Sequence, residues 1–501
     1  MFDDIPILSI IIFLPLVGAL ISFALGSNKR MAKMVALVFS AISMILSILL
    51  LTEFDIGSGS FQFTENYSWI SSLGISYSLG IDGIGLLMVI LTTVLVFLAI
   101  LFSWDVEKRT HEYMGLMLIL EVGVLGVFTA LDYFLFYIFW EVVLIPMFFL
   151  IGIWGGPRRE YAAIKFFIYT HVASLAMLLG ILAMYFEAKP MLEALIGHAS
   201  FGMVDIALVS GNFSSIFQIG VFGALFFGFG VKMPVVPFHT WLPDAHVEAP
   251  TAGSVLLAGL LLKMGAYGLV RIALPTLPEG AEAFVPIMLA IAILSILYGA
   301  FASLAQRDLK KMVAFSSISH MGIVLLGFAT LSDMGIAAGV FQMFAHGLIT
   351  AVLFMMCGVI QHKAGTREIP LLGGLSPRMP NAATFMTIGF LASLGLPGMV
   401  GFVAEFSVFA STYDAFGWLL ILPIMSVAIT AGYYLWALQR TMFGPLTKKI
   451  DTSHLHDVNW YETVPLAILC VLIVVFGLLP GVVFDMITPA TEVVTGILGV
   501  I

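Results

Sequence analysis

Long apolar runs, separated by short polar or Pro/Gly-containing connections, make up almost the whole chain. A helix needs about 20 apolar residues to cross the hydrocarbon core of a membrane. On that criterion the pattern predicts fourteen spans, numbered here in chain order. They cover 5–25, 33–52, 82–104, 114–131, 133–152, 163–186, 215–240, 253–274, 283–304, 311–330, 335–360, 383–412, 417–440 and 462–480. The pattern therefore predicts an all-α polytopic membrane protein in which 1–501 form one membrane domain.

Composition agrees with this prediction and excludes several classes of protein. Of the 501 residues, 61% are hydrophobic and only 10% are charged, and the mean hydropathy is +1.09. Soluble globular domains carry about 25% charged residues. The net charge of −9 excludes a basic surface for nucleic acid. Cys357 and Cys470 both lie in apolar runs, and they support neither a disulfide framework nor a cysteine metal site.

Basic residues alternate along the connections between spans. Every second connection carries several, and the others carry almost none apart from Lys189. The basic connections contain Lys29, Arg30, Lys33, Lys108, Arg109, Arg158, Arg159, Arg307, Lys310, Lys311, Lys363, Arg367, Arg378, Arg440, Lys448 and Lys449. Because Lys and Arg accumulate on the cytoplasmic side of membrane proteins, the alternation predicts an even number of spans and places both termini on the periplasmic side.

Four ionisable residues lie inside apolar runs, away from the connections. Glu141 lies in FYIFWEVVLIPMFF, Lys232 in FFGFGVKMPVVPFH, Lys263 in LLAGLLLKMGAYGL and Glu405 in LPGMVGFVAEFSVFA. One charge at mid-bilayer costs about 2.5–3.5 kcal/mol or more. Each could be a satisfied polar residue that holds helices together. Four in one chain, two of each sign, favour ion or proton handling, because burial disfavours the charged form of both residue types.

Three histidines also lie in apolar sequence. His320 and His346 lie in SSISHMGIV and FQMFAHGLIT, and His239 lies in PVVPFHTWLP near the cytoplasmic end of its span. A lone histidine among apolar residues is more often a hydrogen-bonded core residue than a proton carrier. Because neutral histidine is nevertheless a good intermediate carrier, we expect relay roles for His320 and His346, and less strongly for His239.

Two further features leave alternatives open. The cluster His239, Asp244, His246 and Glu248 suggests either a metal site or a polar network in a loop. Its spacing matches no zinc signature, which favours the network and predicts no metal. Glu121, in LILEVGVLG, is either a second relay carboxylate or a polar group in helix packing.

Two predicted spans contain helix-breaking residues in mid-run. The breakers are Pro234 and Pro237 in the seventh span, and Gly395, Pro397, Gly398 and Gly401 in the twelfth. Proline removes a backbone donor and clashes with the preceding turn, so each helix should divide into two halves. Interrupted spans in corresponding positions of two halves are typical of inverted-repeat transporters.

The two breaks define two units of five helices. The first unit, 114–274, contains spans 4–8, and the second, 283–440, contains spans 9–13, so each break is fourth in its unit. An odd number of spans per unit forces the second unit to be inverted. The pattern thus predicts two half-channels that meet at a polar midline, with Lys232 at one break and Glu405 just past the other.

The residues around these charges resemble a known family. KMPVVPFHTWLPDAHVEAPTAGSVLLAGLLLKMGAYG (232–268) is similar to the signature of the antiporter-like subunits of respiratory complex I, NADH:quinone oxidoreductase, and RDLKKMVAFSSISHMG (307–322) is similar to the same family. Within it, Glu405 and the stretch 376–406 resemble the subunit M (chain 4) branch, bacterial type. We also expect no long lateral helix, since about 20 residues follow the last predicted span.

The resemblance implies roles for the buried residues. Glu141 and Lys232 would form the paired carboxylate and lysine of the first half, Lys263 the central lysine, and Glu405 the terminal carboxylate. His320 and His346 map onto relay positions of the family, and His239 is a further candidate among the proton-translocation residues. The implied function is a proton-translocating subunit of a translocase in the bacterial inner membrane, without a cofactor of its own.

The same resemblance implies partners and rivals. NADH, FMN, iron–sulfur clusters and quinone would be held by partner subunits, since this chain has no nucleotide loop and only two distant cysteines. Its partners would be other complex I membrane subunits, notably the two other antiporter-like subunits, together with the lipid bilayer and protons. The alternatives are a subunit of a multisubunit sodium/proton antiporter or of a membrane-bound hydrogenase. A passive scaffold would not explain four costly ionisable residues.

Overall fold

The computed structural model describes residues 5–26, 28–450 and 455–499. Its helices follow one another across the membrane and are connected mostly by short turns. The spans are α1 Ile7–Ala24, α2 Lys29–Leu49, α3 Gly83–Phe102, α4 Thr110–Thr129, α5 Tyr133–Trp154, α6 Arg159–Ile196, α7a Ser215–Lys232 with α7b Trp241–Glu248, α8 Thr251–Thr276, α9 Pro278–Leu304, α10 Leu309–Ala329, α11 Asp333–Ala364, α12a Pro380–Ser393 with α12b Val400–Phe416, α13 Ile421–Thr441 and α14 Trp460–Leu478. The predicted number of fourteen spans is confirmed.

The assignment of α12b and α13 depends on one residue. Val400–Thr441 is helical almost throughout, and a straight helix of its 42 residues would be about 63 Å long, twice the thickness of a bilayer core. Gly417 lies between the two helices with φ 57° and ψ −130°, a backbone conformation that favours glycine. The chain therefore turns at Gly417, and α12b and α13 are separate spans.

A last helix, α15 Gly481–Leu498, follows α14 and was not predicted. Its Met486 carbonyl lies against Gly83 at the start of α3, and Thr495 donates a hydrogen bond to Asp333 at the start of α11. Asp485 and Glu492 on its other side are exposed. Since the starts of α3 and α11 lie at the same face of the bundle, α15 packs along that face. We call it the opposite face, because the basic connections lie at the other, the basic face.

The connection between α2 and α3 contains a β-hairpin, so the purely helical prediction was incomplete. β1 Gln62–Ile70 and β2 Ile75–Ile81 pair antiparallel, with Tyr67 opposite Tyr77. The Glu65 carboxylate accepts hydrogen bonds from the backbone N–H groups of Leu8 (2.8 Å) and Ser9 (3.1 Å). These are orphan donors at the N-terminal end of α1. The hairpin thereby attaches to α1 on the opposite face.

A buried ion pair joins two spans near the same face. The Arg271 guanidinium, late in α8, contacts Asp82 at 2.5 Å, and Asp82 also caps α3 by accepting a hydrogen bond from Gly85 N–H. Arg271 lies over the rings of Phe61 and Tyr267. Because each charge has a close partner of opposite sign, this arginine is a structural residue that the sequence analysis did not single out.

Both predicted breaks are present. α7a ends at Lys232 and α7b begins at Trp241. The backbone groups freed by this break are satisfied by side chains: Trp241 Nε1 donates to the Val231 carbonyl (2.9 Å), and the Val236 N–H donates to Ser295 Oγ of α9 (2.9 Å). This re-pairing is what allows irregular backbone at membrane depth.

The break in α12 depends on two glycines with positive φ. Gly395 and Gly398 have φ values of 79° and 89°, in the left-handed region that L side chains rarely adopt. α12a therefore ends at Ser393 and α12b starts at Val400. The division into inverted units 114–274 and 283–440 stays a prediction, although each proposed unit contains one broken helix.

Three helices lie in the interior of the bundle. α8, α10 and α11 are almost wholly buried, whereas α2, α9 and α13 expose much of their apolar surface. Lys263, His320 and His346 lie on these three interior helices. These three titratable groups are thus held on the helices that are best shielded from lipid.

A candidate proton-transfer row in the membrane

Lys263 lies at the centre of the bundle, on α8, between two π-helical turns, Leu257–Leu261 and Leu269–Ala273. Its Nζ donates to the carbonyl of Ala258 at 2.5 Å and contacts Nδ1 of His346, on α11, at 2.6 Å. π-Helical turns alter the regular pairing of backbone groups and are frequent at functional sites. The lysine is fully buried and satisfied by one carbonyl and one imidazole.

His346 continues the contacts toward α10. Its ring lies beside that of His320, with centroids 5.4 Å apart. His320 Nε2 is 3.3 Å from Oε1 of Glu405, on α12b, and 3.2 Å from the carbonyl of Ser393. Lys263, His346, His320 and Glu405 therefore form one row of titratable groups, which we call the central row. The sequence analysis named all four, and the structure brings them together.

The break in α12 makes room for the end of the central row. Ser393 is the last residue of α12a, so its carbonyl is free to accept from His320. A Cβ at Gly395 would lie 3.2 Å from Oε2 of Glu405, so glycine leaves space for the carboxylate. The helix break thus supplies both a hydrogen-bond acceptor for His320 and space for the Glu405 carboxylate.

The first-half residues are arranged differently. Lys232 Nζ has no hydrogen-bond partner within the described chain and lies over the rings of Trp140 (5.4 Å) and Phe166 (5.7 Å). Glu141 accepts from Ser174 and lies 3.0 Å from Nδ1 of His171, both on α6. Between Glu141 and Lys232 there is no ion pair within 4 Å in the described residues, so the pair that the resemblance implies is separated in this structure, and its role stays a prediction.

The geometry of α5 explains why Glu141 and Lys232 are apart. Trp140 and Glu141 are consecutive residues of a helix, and consecutive side chains point in different directions. Trp140 faces α7a and the lysine, whereas Glu141 faces α6. His171 and Ser174 were not singled out from the sequence. His171 could have been, since it lies in the apolar run FFIYTHVASLAML, just as His320 and His346 lie in apolar runs.

The residues of the suspected metal cluster do not converge. Asp244 pairs with Lys165 (2.7 Å), and Glu248 accepts from the backbone N–H of Arg158 (2.9 Å). His246 instead stacks on Phe354, with centroids 4.4 Å apart. His239 packs edge-on against Tyr298. The two carboxylates form a polar network with basic side chains, as the spacing favoured, and the two histidines lie apart from it.

Glu121 is fully buried on α4. Neither carboxylate oxygen makes a hydrogen bond of normal geometry within the described residues, and Ser43 is its polar neighbour. It makes no contact with the central row. Its polar neighbour lies on α2, and both of its predicted roles, a relay carboxylate or a packing group, stay predictions.

Comparison with known proteins shows which family the chain resembles. Residues 130–430 match the family described as "NADH:quinone oxidoreductase/Mrp antiporter, TM". The chain belongs to this family. The matched region contains Glu141, Lys232, the central row and both helix breaks, so the resemblance noted at 232–268 and 307–322 is confirmed.

Members of this family match along nearly the full chain. NADH-quinone oxidoreductase subunit M of Rhodobacter capsulatus is 41% identical over 490 residues, covering 97% of this chain and 95% of that protein. F(420)H(2) dehydrogenase subunit M of Methanosarcina mazei is 41% identical over 499 residues, covering 98% of each. A chain in the solved respiratory complex I from Thermus thermophilus matches with a TM-score of 0.87 and 29% identity, covering 98% of this chain and 100% of that one.

The central row yields a prediction at His346. We expect His346→Gln to slow proton translocation by at least about 10-fold, because an amide can keep a hydrogen bond to Lys263 but cannot carry a proton, and positioned acid–base groups contribute about 10²–10⁴-fold. The rate would be measured by dye quenching in liposomes that contain the assembled complex. His198→Gln, at an exposed position in the connection after α6, is the control. Equal rates in the two variants would contradict a relay role.

Proposed function

We propose that this chain is the subunit M of a respiratory NADH:quinone oxidoreductase and moves protons across the membrane while other subunits oxidise NADH. The main support for this proposal is the central row. Its four residues contact one another in the spatial order Lys263, His346, His320 and Glu405 inside the helix bundle. The family membership and the Rhodobacter capsulatus relative support the coupling to quinone reduction.

Proton movement along the central row follows from its contacts. Lys263 Nζ can release a proton to His346 Nδ1 across 2.6 Å, which leaves a neutral amine and an imidazolium. The proton then passes between the neighbouring rings of His346 and His320, and from His320 Nε2 to Glu405 across 3.3 Å. Each step moves one proton and one positive charge. The low dielectric makes every step sensitive to nearby charges.

Lys232 and Glu141 would control entry to the row. An approaching carboxylate stabilises the protonated lysine, and a retreating one favours proton release. In this structure the two are apart and Lys232 lies over aromatic rings, which stabilise a positive charge less than an ion pair would. We infer that the structure represents the separated arrangement of a pair that closes during turnover. His239 would act at the basic end of α7.

The redox chemistry belongs to partners in this proposal. NADH, FMN, iron–sulfur clusters and quinone would be bound by other subunits of the complex, and the two other antiporter-like subunits would adjoin this chain in the membrane. The Methanosarcina mazei relative favours a second candidate, in which the reduced deazaflavin F420H2 replaces NADH as electron donor. The sodium/proton antiporter and hydrogenase alternatives have less support, since the relatives at 41% identity are named as NADH-quinone and F420H2 dehydrogenase subunits.

Purification through a tag on this chain separates these candidates. We expect co-purification with flavin and iron–sulfur subunits, and quinone reduction driven by NADH. Reduction driven only by F420H2 would establish the second candidate. Recovery with small membrane subunits alone, and without redox activity, would overturn the proposal in favour of the antiporter.

Charge placement supports an orientation within the bacterial inner membrane. The basic face would be cytoplasmic, and both termini, the hairpin and α15 would be periplasmic. We expect an alkaline phosphatase domain fused to the C-terminus to be active and a green fluorescent protein fused there to be dark. The same pair inserted after Lys448, on the basic face, serves as the reciprocal control. Fluorescence from the C-terminal fusion would show the reverse orientation.

The first-half residues provide a direct functional prediction. We expect Lys232→Ala and Glu141→Ala each to lower proton pumping by at least about 10-fold, while the complex still assembles, because neither side chain holds the other in an ion pair here. Pumping in liposomes and the subunit content of the purified complex are the two measurements. Loss of assembly in both variants would support the structural role instead.

A further inference from the structure

His171 is a titratable side chain that the proposed mechanism does not yet use. It lies on α6, and its Nδ1 is 3.0 Å from Oε2 of Glu141. Ser174, one turn later on the same helix, donates to the other carboxylate oxygen, Oε1. Both oxygens of Glu141 therefore have partners on α6, and one of these partners can itself take up and release a proton.

His171 is also partly exposed at the surface of the helix bundle. Its side chain is 39% exposed, compared with 25% for Glu141. It lies twelve residues after Arg159 at the basic face, a distance of about 18 Å along a helix. Its neighbours on the exposed side are apolar, including Ile168, Val172 and Leu175. An imidazole thus stands at mid-span on the surface that adjoins lipid or another subunit.

Such a position is costly without a function or a partner. Ionisable groups in spanning segments are rare, and they usually face a bundle interior or water. The imidazole ring stacks on Phe167, with a centroid distance of 5.4 Å and an interplanar angle of 19°. This stacking orients the ring toward Glu141. The ring's other nitrogen, Nε2, lies on the far side of the imidazole from the carboxylate.

Few charged or titratable side chains lie near His171. From α5, Glu141 contacts the ring directly, and the Tyr137 hydroxyl lies beside Glu141 and Ser174. From α7a, Lys232 acts on Glu141 through space. On α6 itself, Lys165 is engaged by Asp244. Glu141 is therefore the only group in direct hydrogen-bonding distance of the His171 ring among the contacts of the described chain.

We propose that His171 carries protons between Glu141 and the α6 surface of the chain. This inference rests on the proposed function, in which Glu141 takes part in proton movement. A proton arrives at Nε2 from a titratable group or water at the boundary, and the Nδ1 proton passes to the Glu141 carboxylate. The N–H bond at Nε2 forms, that at Nδ1 breaks, and an O–H bond forms on Glu141. The imidazole is left in its other tautomer, and reversal or rotation resets it.

A merely structural His171 would behave differently from a proton carrier. Glutamine can donate a hydrogen bond to Glu141 but cannot carry a proton, whereas alanine can do neither. If His171 only positions Glu141, His171→Gln should restore most of the pumping that His171→Ala loses. If it carries protons, the two variants should be equally slow.

The experiment compares four variants of the assembled complex in liposomes: H171A, H171Q, E141Q and Y169F. Tyr169→Phe is the matched control, on the same helix with similar exposure. We expect H171A and H171Q to pump about 10-fold more slowly than the control.

The outcomes separate this inference from the function on which it rests. Normal pumping in H171Q, with slow pumping in H171A, would make His171 a positioning residue and overturn the inference. Normal pumping in both His171 variants, with slow pumping in E141Q, would also overturn it while leaving the proposed function intact. Normal pumping in E141Q would overturn the proposed function itself.

Discussion

The cost of placing ionisable side chains in a low-dielectric interior is the constraint on which this structure depends. Each such group must be shielded from lipid and given a polar partner. The fold meets both needs by burying α8, α10 and α11 inside the bundle. Lys263 then finds a carbonyl and an imidazole, and His320 finds a carboxylate and a carbonyl. One partner of each is itself titratable, namely the His346 imidazole and the Glu405 carboxylate, so the same contacts that make burial possible connect the groups into a row.

Irregular backbone is the second consequence of this constraint. A regular helix uses its mid-span carbonyls for its own backbone pairing, whereas a break or a π-helical turn releases carbonyls from that pairing. The break in α12 releases the Ser393 carbonyl to His320, and the π-helical turn in α8 presents the Ala258 carbonyl to Lys263. At the break in α7, Trp241 and Ser295 satisfy the backbone instead. Polar residues and backbone irregularities thus occur together because each satisfies the other.

Much of the fold was predictable because hydrophobicity acts over whole segments. Fourteen apolar runs, alternating basic connections and mid-run Pro/Gly clusters are strong local signals. The hairpin and α15 were missed because their sequences mix apolar and polar residues, as suits elements that pack along a membrane face. The π-helical turns beside Lys263 have no sequence signal, since LLAGLLLKMGAYG reads as an ordinary apolar helix.

The candidate site was also predictable only in part: the sequence identifies its residues, but not the contacts between them. An ionisable residue in an apolar run is visible in the sequence, which is why Lys263, His346, His320 and Glu405 were named. Which of them touch is decided by helix packing, and only the structure orders them as a row. The separation of Glu141 from Lys232 also arises in packing, since Trp140 and Glu141 face different neighbours.

The central claim is that the central row acts as one connected path, and a double-mutant cycle on its two ends tests it most directly. Proton pumping would be measured in liposomes for Lys263→Ala, Glu405→Ala and the combined variant of the assembled complex. A path interrupted at one end is already interrupted, so the account predicts that the double variant pumps no more slowly than the slower single variant. Fold-losses that multiply in the double variant would show two independent roles and contradict the account.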